Sequence, residues 1–233
     1  MSKETLSDLA AKCIRCGFCL ESCPTFKLSG NESESPRGRI YLARNADSGQ
    51  LPWAEASAAL DTCMGCRACE TACPSGVEYG SILELARHEV EHAKPNLWRS
   101  LWIDTMSSRR KLEVALFLAR WTGMRKTPAL INGLIAREPA EALLPVPQKV
   151  MRWPELRDLP PVTSQMSLLE GCAMAVLFPN AHVVTWRLFR RLGVELQPLK
   201  AECCGALHAH SGDLETGARR AKVVLDAVPA GHT

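Results

Sequence analysis

Four cysteines stand in the run Cys13-Ile-Arg-Cys16-Gly-Phe-Cys19-Leu-Glu-Ser-Cys23-Pro24, and fifty positions later the spacing returns as Cys63-Met-Gly-Cys66-Arg-Ala-Cys69-Glu-Thr-Ala-Cys73-Pro74. Both runs read C-x2-C-x2-C-x3-C-P. This spacing lets one loop offer three thiolates to a [4Fe-4S] cube while its fourth reaches the cube of the other run. The crossover assigns Cys13, Cys16, Cys19 and Cys73 to a first cluster and Cys63, Cys66, Cys69 and Cys23 to a second. The competing reading is a pair of four-cysteine zinc sites, but zinc usually takes two C-x2-C knuckles rather than a four-cysteine run ending in proline. A cluster on four thiolates is anionic, so its neighbours set its potential. Gly17 and Gly65 would let backbone N–H groups approach sulfur, and Arg15 and Arg67 would add positive charge as tuning residues. Pro24 and Pro74 lack an N–H and turn the chain away after the fourth ligand.

The rest of the sequence limits what the thiols can mean. The chain has 233 residues, 46% of them hydrophobic, with a net charge of +3, which allows one large core or two small ones and indicates no particular partner. Met1-Ser2-Lys3-Glu4 is charged from its third position, so a secretory signal is not expected. No window holds some twenty apolar residues, so a membrane-spanning helix is not expected either. Eleven cysteines without an export signal point to metal or redox work rather than to disulfides.

Helices must deliver the two runs. Leu6, Leu9, Ala10 and Cys13 follow i, i+3, i+4, i+7 spacing, and Trp53, Ala56, Leu60 and Cys63 repeat it behind a Pro52 suited to a first helical turn. Between the runs, Ser35-Pro36 starts and Gly49 stops a helix carrying Ile40 and Ala43 on one side. After the second run, Ser81-x-x-Glu84 has the form of a capping box opening a helix that Pro95 closes. That helix contains His88-Glu89-Val90-Glu91-His92, a match to the zinc-protease pattern H-E-x-x-H, with Glu113 available as a third ligand. The wheel places both histidines away from the apolar face formed by Ile82, Leu85, Ala86, Val90 and Ala93, so a solvated flank is the preferred reading.

From residue 94 to 137, nine basic residues (Lys94, Arg99, Arg109, Arg110, Lys111, Arg120, Arg125, Lys126, Arg137) face only Asp104 and Glu113. Trp98, Trp102 and Trp121 are interspersed with apolar runs such as Val114 to Leu118. Basic helices with tryptophans suit an anionic membrane surface or an acidic partner, and the alternative places the aromatics in a core beneath a solvated face. No nucleic-acid motif accompanies the charge. Pro139, Pro145, Pro147, Pro154, Pro160 and Pro161 mark a linker. Beyond it, Cys172 to Phe178 reads as a buried strand, Asn180 caps a helix to Leu192, Val194 to Gln197 is a second strand, and Asp213 onward is helical. Such a unit gathers ligands at the carboxyl ends of its strands, where Cys203-Cys204-Gly205 falls. Cys172, Cys203 and Cys204 are candidates for an incomplete third metal site that His208, His210 or a partner's ligand could complete, and the alternative is that they are small core residues holding no metal.

The two runs, Ser35-Pro36-Arg37-Gly38-Arg39-Ile40 between them, Cys73-Pro74-Ser75-Gly76-Val77, and Gly171-Cys172 followed by Cys203-Cys204-Gly205-Ala206-Leu207-His208-Ala209-His210 together resemble the glycolate oxidase iron-sulfur subunit family. Lactate-utilisation iron-sulfur proteins, the anaerobic glycerol-3-phosphate dehydrogenase C subunit and heterodisulfide reductase subunits share the layout. The resemblance implies an electron-transfer subunit of a flavin-dependent 2-hydroxy-acid dehydrogenase, not a catalyst alone. FAD and the hydroxy acid would then sit on partner flavoprotein subunits, electrons would pass to a membrane quinone pool, and nucleic acid would play no part. It also implies a cytoplasmic chain, or one attached peripherally to the cytoplasmic face of the inner membrane. In the family the cysteine-rich unit closes with C-x-x-C and is duplicated. Here 30 residues separate Cys172 from Cys203 and only 29 follow Cys204, so by this resemblance the unit is shortened. The expected fold is mainly α. It comprises an α-helical ferredoxin domain with two [4Fe-4S] clusters over 1–95, a basic helical segment and Pro-rich linker over 96–160, and a partial α/β, parallel-sheet cysteine-rich domain over 161–233.

Overall fold

The computed structural model describes residues 4–123 and 146–229. The chain is mostly helical, with one two-stranded parallel sheet, and its contacts divide it into two units. Unit 1 comprises residues 1–96 with His208–Leu214, and unit 2 comprises Leu97–Leu207 with Glu215–Thr233.

Unit 1 is built from α1 (Leu6–Ala11), α2 (Pro24–Ser29), a 3-10 turn (Glu32–Glu34), α3 (Pro36–Asp47), α4 (Trp53–Asp61), α5 (Ala68–Thr71) and α6 (Tyr79–Ala93). Thr5 opens α1 with a capping box to Asp8. The Ser35 side chain accepts the Gly38 N–H and Pro36 occupies the first turn of α3, while Gly49 leaves its end at φ 74°. Pro52 caps α4 from just outside rather than within its first turn. The core lies where α1, α3, α4 and α6 meet, around Leu9, Ile40, Leu60, Ile82 and Val90. Ala10, Ala43, Ala56 and Ala86 are wholly buried in it. Small residues at these crossings bring the helix axes together, and each large apolar side chain added there contributes about 1.5–3 kcal/mol.

The expected capping box at Ser81 does not form, because α6 begins two residues earlier. A first-turn amide finds another partner: Glu70 Oε1 accepts from the Gly80 N–H at 2.7 Å. That bond fixes the start of α6 against the second cysteine loop.

Unit 2 contains α7 (Leu97–Met106), α8 (Arg109–Trp121), β1 (Ser164–Leu168), α9 (Cys172–Leu177), α10 (Pro179–Arg191), β2 (Val194–Pro198) and α12 (Leu214–Ala227). A short helix, α11 (Ala206–His210), spans the division. β1 and β2 pair in parallel from Ser164 with Val194 to Leu168 with Pro198. The strand expected at Cys172 to Phe178 is therefore helix α9, and the strand lies eight residues earlier. Ala, Met and Leu in Cys172-Ala-Met-Ala-Val-Leu favour helix, and a short apolar run does not distinguish helix from strand. Asn180 does not cap α10, which starts at Pro179. Its amide instead binds the proline-rich stretch, accepting from Met151 N and donating to Lys149 O. Leu112 and Leu116 of α8 pack with Val176 of α9 in a small core, whereas Trp98, Phe117 and Trp121 are 56%, 68% and 79% exposed. These aromatics are not core residues of unit 2. Arg125, Lys126, Arg137, Pro139 and Pro145 lie outside the described residues.

Gly38 marks the tightest crossing in unit 1, since a Cβ there would stand 1.9 Å from the Glu32 carbonyl oxygen. Gly38→Ala is expected to destabilise unit 1 by roughly 2 kcal/mol or more through overpacking against backbone, read as a lowered midpoint in urea unfolding.

Candidate metal centre

Each cysteine run leaves its helix and closes into a loop that requires two left-handed residues. In the first loop these are Arg15 (φ 59°) and Gly17 (φ 88°), and in the second, aligned on the cysteines, Gly65 (φ 65°) and Arg67 (φ 58°). Glycine and arginine thus exchange places between the repeats. The arginine in each loop costs roughly 1–2 kcal/mol of backbone strain that glycine would avoid. Each is held by a specific contact: Arg67 Nε donates to Glu70 Oε2 at 2.8 Å, and the Arg15 guanidinium lies 5.1 Å from the Tyr41 ring centre. Both arginines are exposed, and the charge of Arg67 is already paired.

The eight thiols of the runs surround two cavities. One is lined by Cys13, Cys16, Cys19, Cys69 and Cys73, with Gly17, Arg37 and Tyr79. The other is lined by Cys23, Cys63, Cys66 and Cys69, with Thr25, Arg39 and Tyr79. Each cavity therefore receives the first three cysteines of one run and the fourth of the other. Pro36, Cys69 and Tyr79 line both and form their common wall. Cys23 and Cys69 are buried, Cys16 and Cys66 exposed, and the other four half-buried. An all-thiolate donor set of this kind suits iron-sulfur chemistry.

Polar groups reach the second cavity's thiols from several sides. The Gly65 N–H and the Tyr79 hydroxyl each donate to Cys63 Sγ at 3.5 Å. Arg39 sends Nη1 to within 3.9 Å of Cys23 Sγ, at the long end for a sulfur hydrogen bond. Its other donors bind Ala59 O at 2.6 Å, Thr25 Oγ1 at 3.0 Å and Thr62 Oγ1 at 2.9 Å. Thr25 Oγ1 itself lies 3.2 Å from Cys23 Sγ. Burial would raise the Cys23 thiol, but Thr25, the Thr25 and Phe26 amides and the Arg39 charge bring it below the ordinary value. Burial and the neighbouring Cys63 and Cys19 push Cys69 up to about 12. Burial, followed by Cys63, also raises the Tyr79 phenol well above its usual range, which keeps its donor proton in place. Arg39 was not singled out as a tuning residue from the sequence, although a signal existed: it falls with Ala43 and Ala46 on the buried face of α3.

The remaining candidates fall elsewhere. Cys172 Sγ and Cys203 Sγ lie 3.6 Å apart, the Gly205 N–H donates to Cys203 Sγ at 3.4 Å, and Cys204 is exposed. Burial first, and then Cys203, raise the Cys172 thiol. His208 Nδ1 pairs with Asp213 at 3.1 Å and His210 Nδ1 with Glu84 at 2.7 Å. Among the described residues no three Cys, His, Asp or Glu side chains group around a single ion. His88 is half-buried rather than solvated: its Nδ1 stands 2.8 Å from Gly212 O, and its ring meets that of His92 edge to face. Glu113 pairs with Arg109.

Two protein families match parts of the chain. Residues 9–77 match the family 4Fe-4S dicluster domain, and residues 166–229 match the family Cysteine-rich domain. The glycolate oxidase iron-sulfur subunit of Escherichia coli strain K12 is 34% identical over 217 residues, 92% of this chain and 51% of that protein. The probable glycolate oxidase iron-sulfur subunit of Bacillus subtilis strain 168 is 36% identical over 239 aligned positions, 94% of this chain and 54% of that protein. The chain spans about half the length of the curated relatives it matches. No solved structure matches it.

The cavity linings predict the outcome of removing one crossing thiol. Cys23→Ser is expected to abolish the low-temperature EPR signal of the cluster held by Cys63, Cys66 and Cys69 and to leave the other signal intact. Loss confined to the cluster held by Cys13, Cys16 and Cys19 would contradict the exchange of fourth ligands.

Proposed function

We propose that this chain, homologous over nine-tenths of its length to glycolate oxidase iron-sulfur subunits, is the electron-relay part of a flavin-dependent 2-hydroxy-acid dehydrogenase. The observation that carries the reading is the pair of cavities, each lined by three thiols of one run and the fourth of the other. Cys13, Cys16, Cys19 and Cys73 would hold one [4Fe-4S] cluster, and Cys63, Cys66, Cys69 and Cys23 the second. When bound, such clusters accept and release single electrons, so the substrate hydroxyl and the flavin that takes its electron pair belong on partner subunits. No catalytic residue is assigned to this chain.

Its own residues hold, screen and tune. The core of α1, α3, α4 and α6 backs the thiols and keeps water from their inner side. The common wall of Pro36, Cys69 and Tyr79 keeps the cavities adjacent, as single-electron transfer between them requires. The exposed Cys16 and Cys66 mark where each cavity comes closest to solvent and to a partner. The onward acceptor is proposed to be a quinone at the cytoplasmic face of the inner membrane, with the chain attached peripherally. The exposed Trp98, Phe117 and Trp121 among the basic residues of α7 and α8 support that placement. Among the described residues no helix is long and apolar enough to cross a membrane. Cys172, Cys203 and Cys204 are read as a third metal site that this chain leaves incomplete.

Protein purified without oxygen is expected to carry about eight irons per chain with an equal amount of acid-labile sulfide. Its clusters should be reduced when a copurifying flavoprotein is supplied with glycolate, and zinc without sulfide would overturn the proposal.

A further inference from the structure

Arg39 is 1% exposed, and among the described residues it has no carboxylate partner; its donors end on a carbonyl, two hydroxyls and Cys23 Sγ. A buried cation needs a compensating anion, because desolvation costs several kcal/mol that dipoles alone repay poorly. The thiols of the cavity that Arg39 lines supply such anions once they ligate a cluster, and Cys23 Sγ lies 3.9 Å from Arg39 Nη1. At a second thiol lining that cavity, the Tyr79 hydroxyl and the Gly65 N–H both donate to Cys63 Sγ.

The first cavity has backbone donors of its own, the Arg37 and Cys19 N–H groups reaching the Cys19 thiol, but among the described residues no buried arginine faces its sulfurs. The basic side chain at its rim, Arg37, is bound to Glu32 through Nε at 2.6 Å and Nη2 at 3.2 Å, so its charge is largely offset. Its remaining bond goes to the Arg15 carbonyl at 3.4 Å rather than to sulfur. Arg15 itself is exposed and lies against Tyr41. Reduction adds one negative charge to a cluster. It is favoured where a buried cation and hydrogen-bond donors already face the sulfurs, and charge and such bonds are what set cluster potentials.

We infer that Arg39 and Tyr79 make the cluster held by Cys63, Cys66, Cys69 and Cys23 the higher-potential of the two, so that an electron delivered to the pair comes to rest there. The inference rests on the two-cluster reading above. The relay then has a direction: electrons enter at the first cavity, cross the wall at Cys69 and Tyr79, and leave from the second. Each transfer moves one electron from an external one-electron donor, with no bond made or broken and no proton required. Arg39 and Tyr79 act as positioning residues, through charge and hydrogen bonding to the ligand sulfurs.

The test is an EPR-monitored redox titration of the anaerobic protein with dithionite and mediators, on the wild type, Arg39→Gln and Tyr79→Phe. The wild type should show two one-electron waves. Arg39→Gln should lower the upper wave so that the oxidised-to-reduced ratio at fixed potential rises about tenfold, or about 59 mV for one electron, while the lower wave stays put. Tyr79→Phe keeps the ring packing, removes one hydroxyl and should move the same wave in the same direction by less. It therefore decides the matter if Arg39→Gln fails to assemble. A shift of the lower wave, equal shifts of both, or no shift in Tyr79→Phe with iron content unchanged would overturn the inference while leaving the two-cluster reading intact. A wild type without iron and sulfide would remove that reading and the inference with it.

Discussion

Eight thiols gathered at one end of a small helical core repel one another as soon as they ionise, and the rest of unit 1 answers that constraint. Cys69, in the wall between the cavities, feels it most, its thiol pushed up to about 12 by burial and by Cys63 and Cys19. Anionic sulfur in a low-dielectric interior is tolerable only beside compensating charge and donors. The buried Arg39, the Tyr79 hydroxyl and the loop amides supply them. At Cys23 the Thr25 hydroxyl, the Phe26 and Thr25 amides and the Arg39 charge bring the thiol below its ordinary value in spite of burial.

The same constraint explains why the two loops are alike without being identical. Each must wrap tightly enough for three sulfurs to face one cavity, and both use left-handed backbone at the same two positions. One glycine per loop meets this need at no steric cost, and one arginine meets it under strain. The arginine is retained where a partner holds it, Glu70 for Arg67 and the Tyr41 ring for Arg15. Because the fourth cysteine of each run lines the other run's cavity, residues 13 to 73 behave as one unit, and α1, α3, α4 and α6 form one core behind it.

How far this was legible in the sequence depended on the range of the signal. The cysteine spacing, the apolar faces of α1, α3 and α4 and the Ser35-Pro36 start of α3 are local, and they were readable residue by residue. Arg39 was not recognised, because an arginine in a helix is usually solvated; its place beside Ala43 and Ala46 was visible, but the sulfur it faces comes from a different run. Ser81 failed as a cap because α6 begins two residues earlier, where Glu70, ten residues from Gly80, accepts a first-turn amide. In unit 2 the apolar Cys172-Ala-Met-Ala-Val-Leu fitted helix and strand equally well. The true strand, Ser164–Leu168, is polar enough to escape notice until Val194–Pro198 pairs with it.

The central claim is that the two runs exchange their fourth ligands around two clusters. Anomalous diffraction at the iron absorption edge from anaerobically grown crystals tests it most directly. The account predicts two compact iron bodies, one touched by Cys13, Cys16, Cys19 and Cys73 and the other by Cys63, Cys66, Cys69 and Cys23. Iron bodies each enclosed by the four cysteines of a single run, or single metal ions in their place, would contradict it.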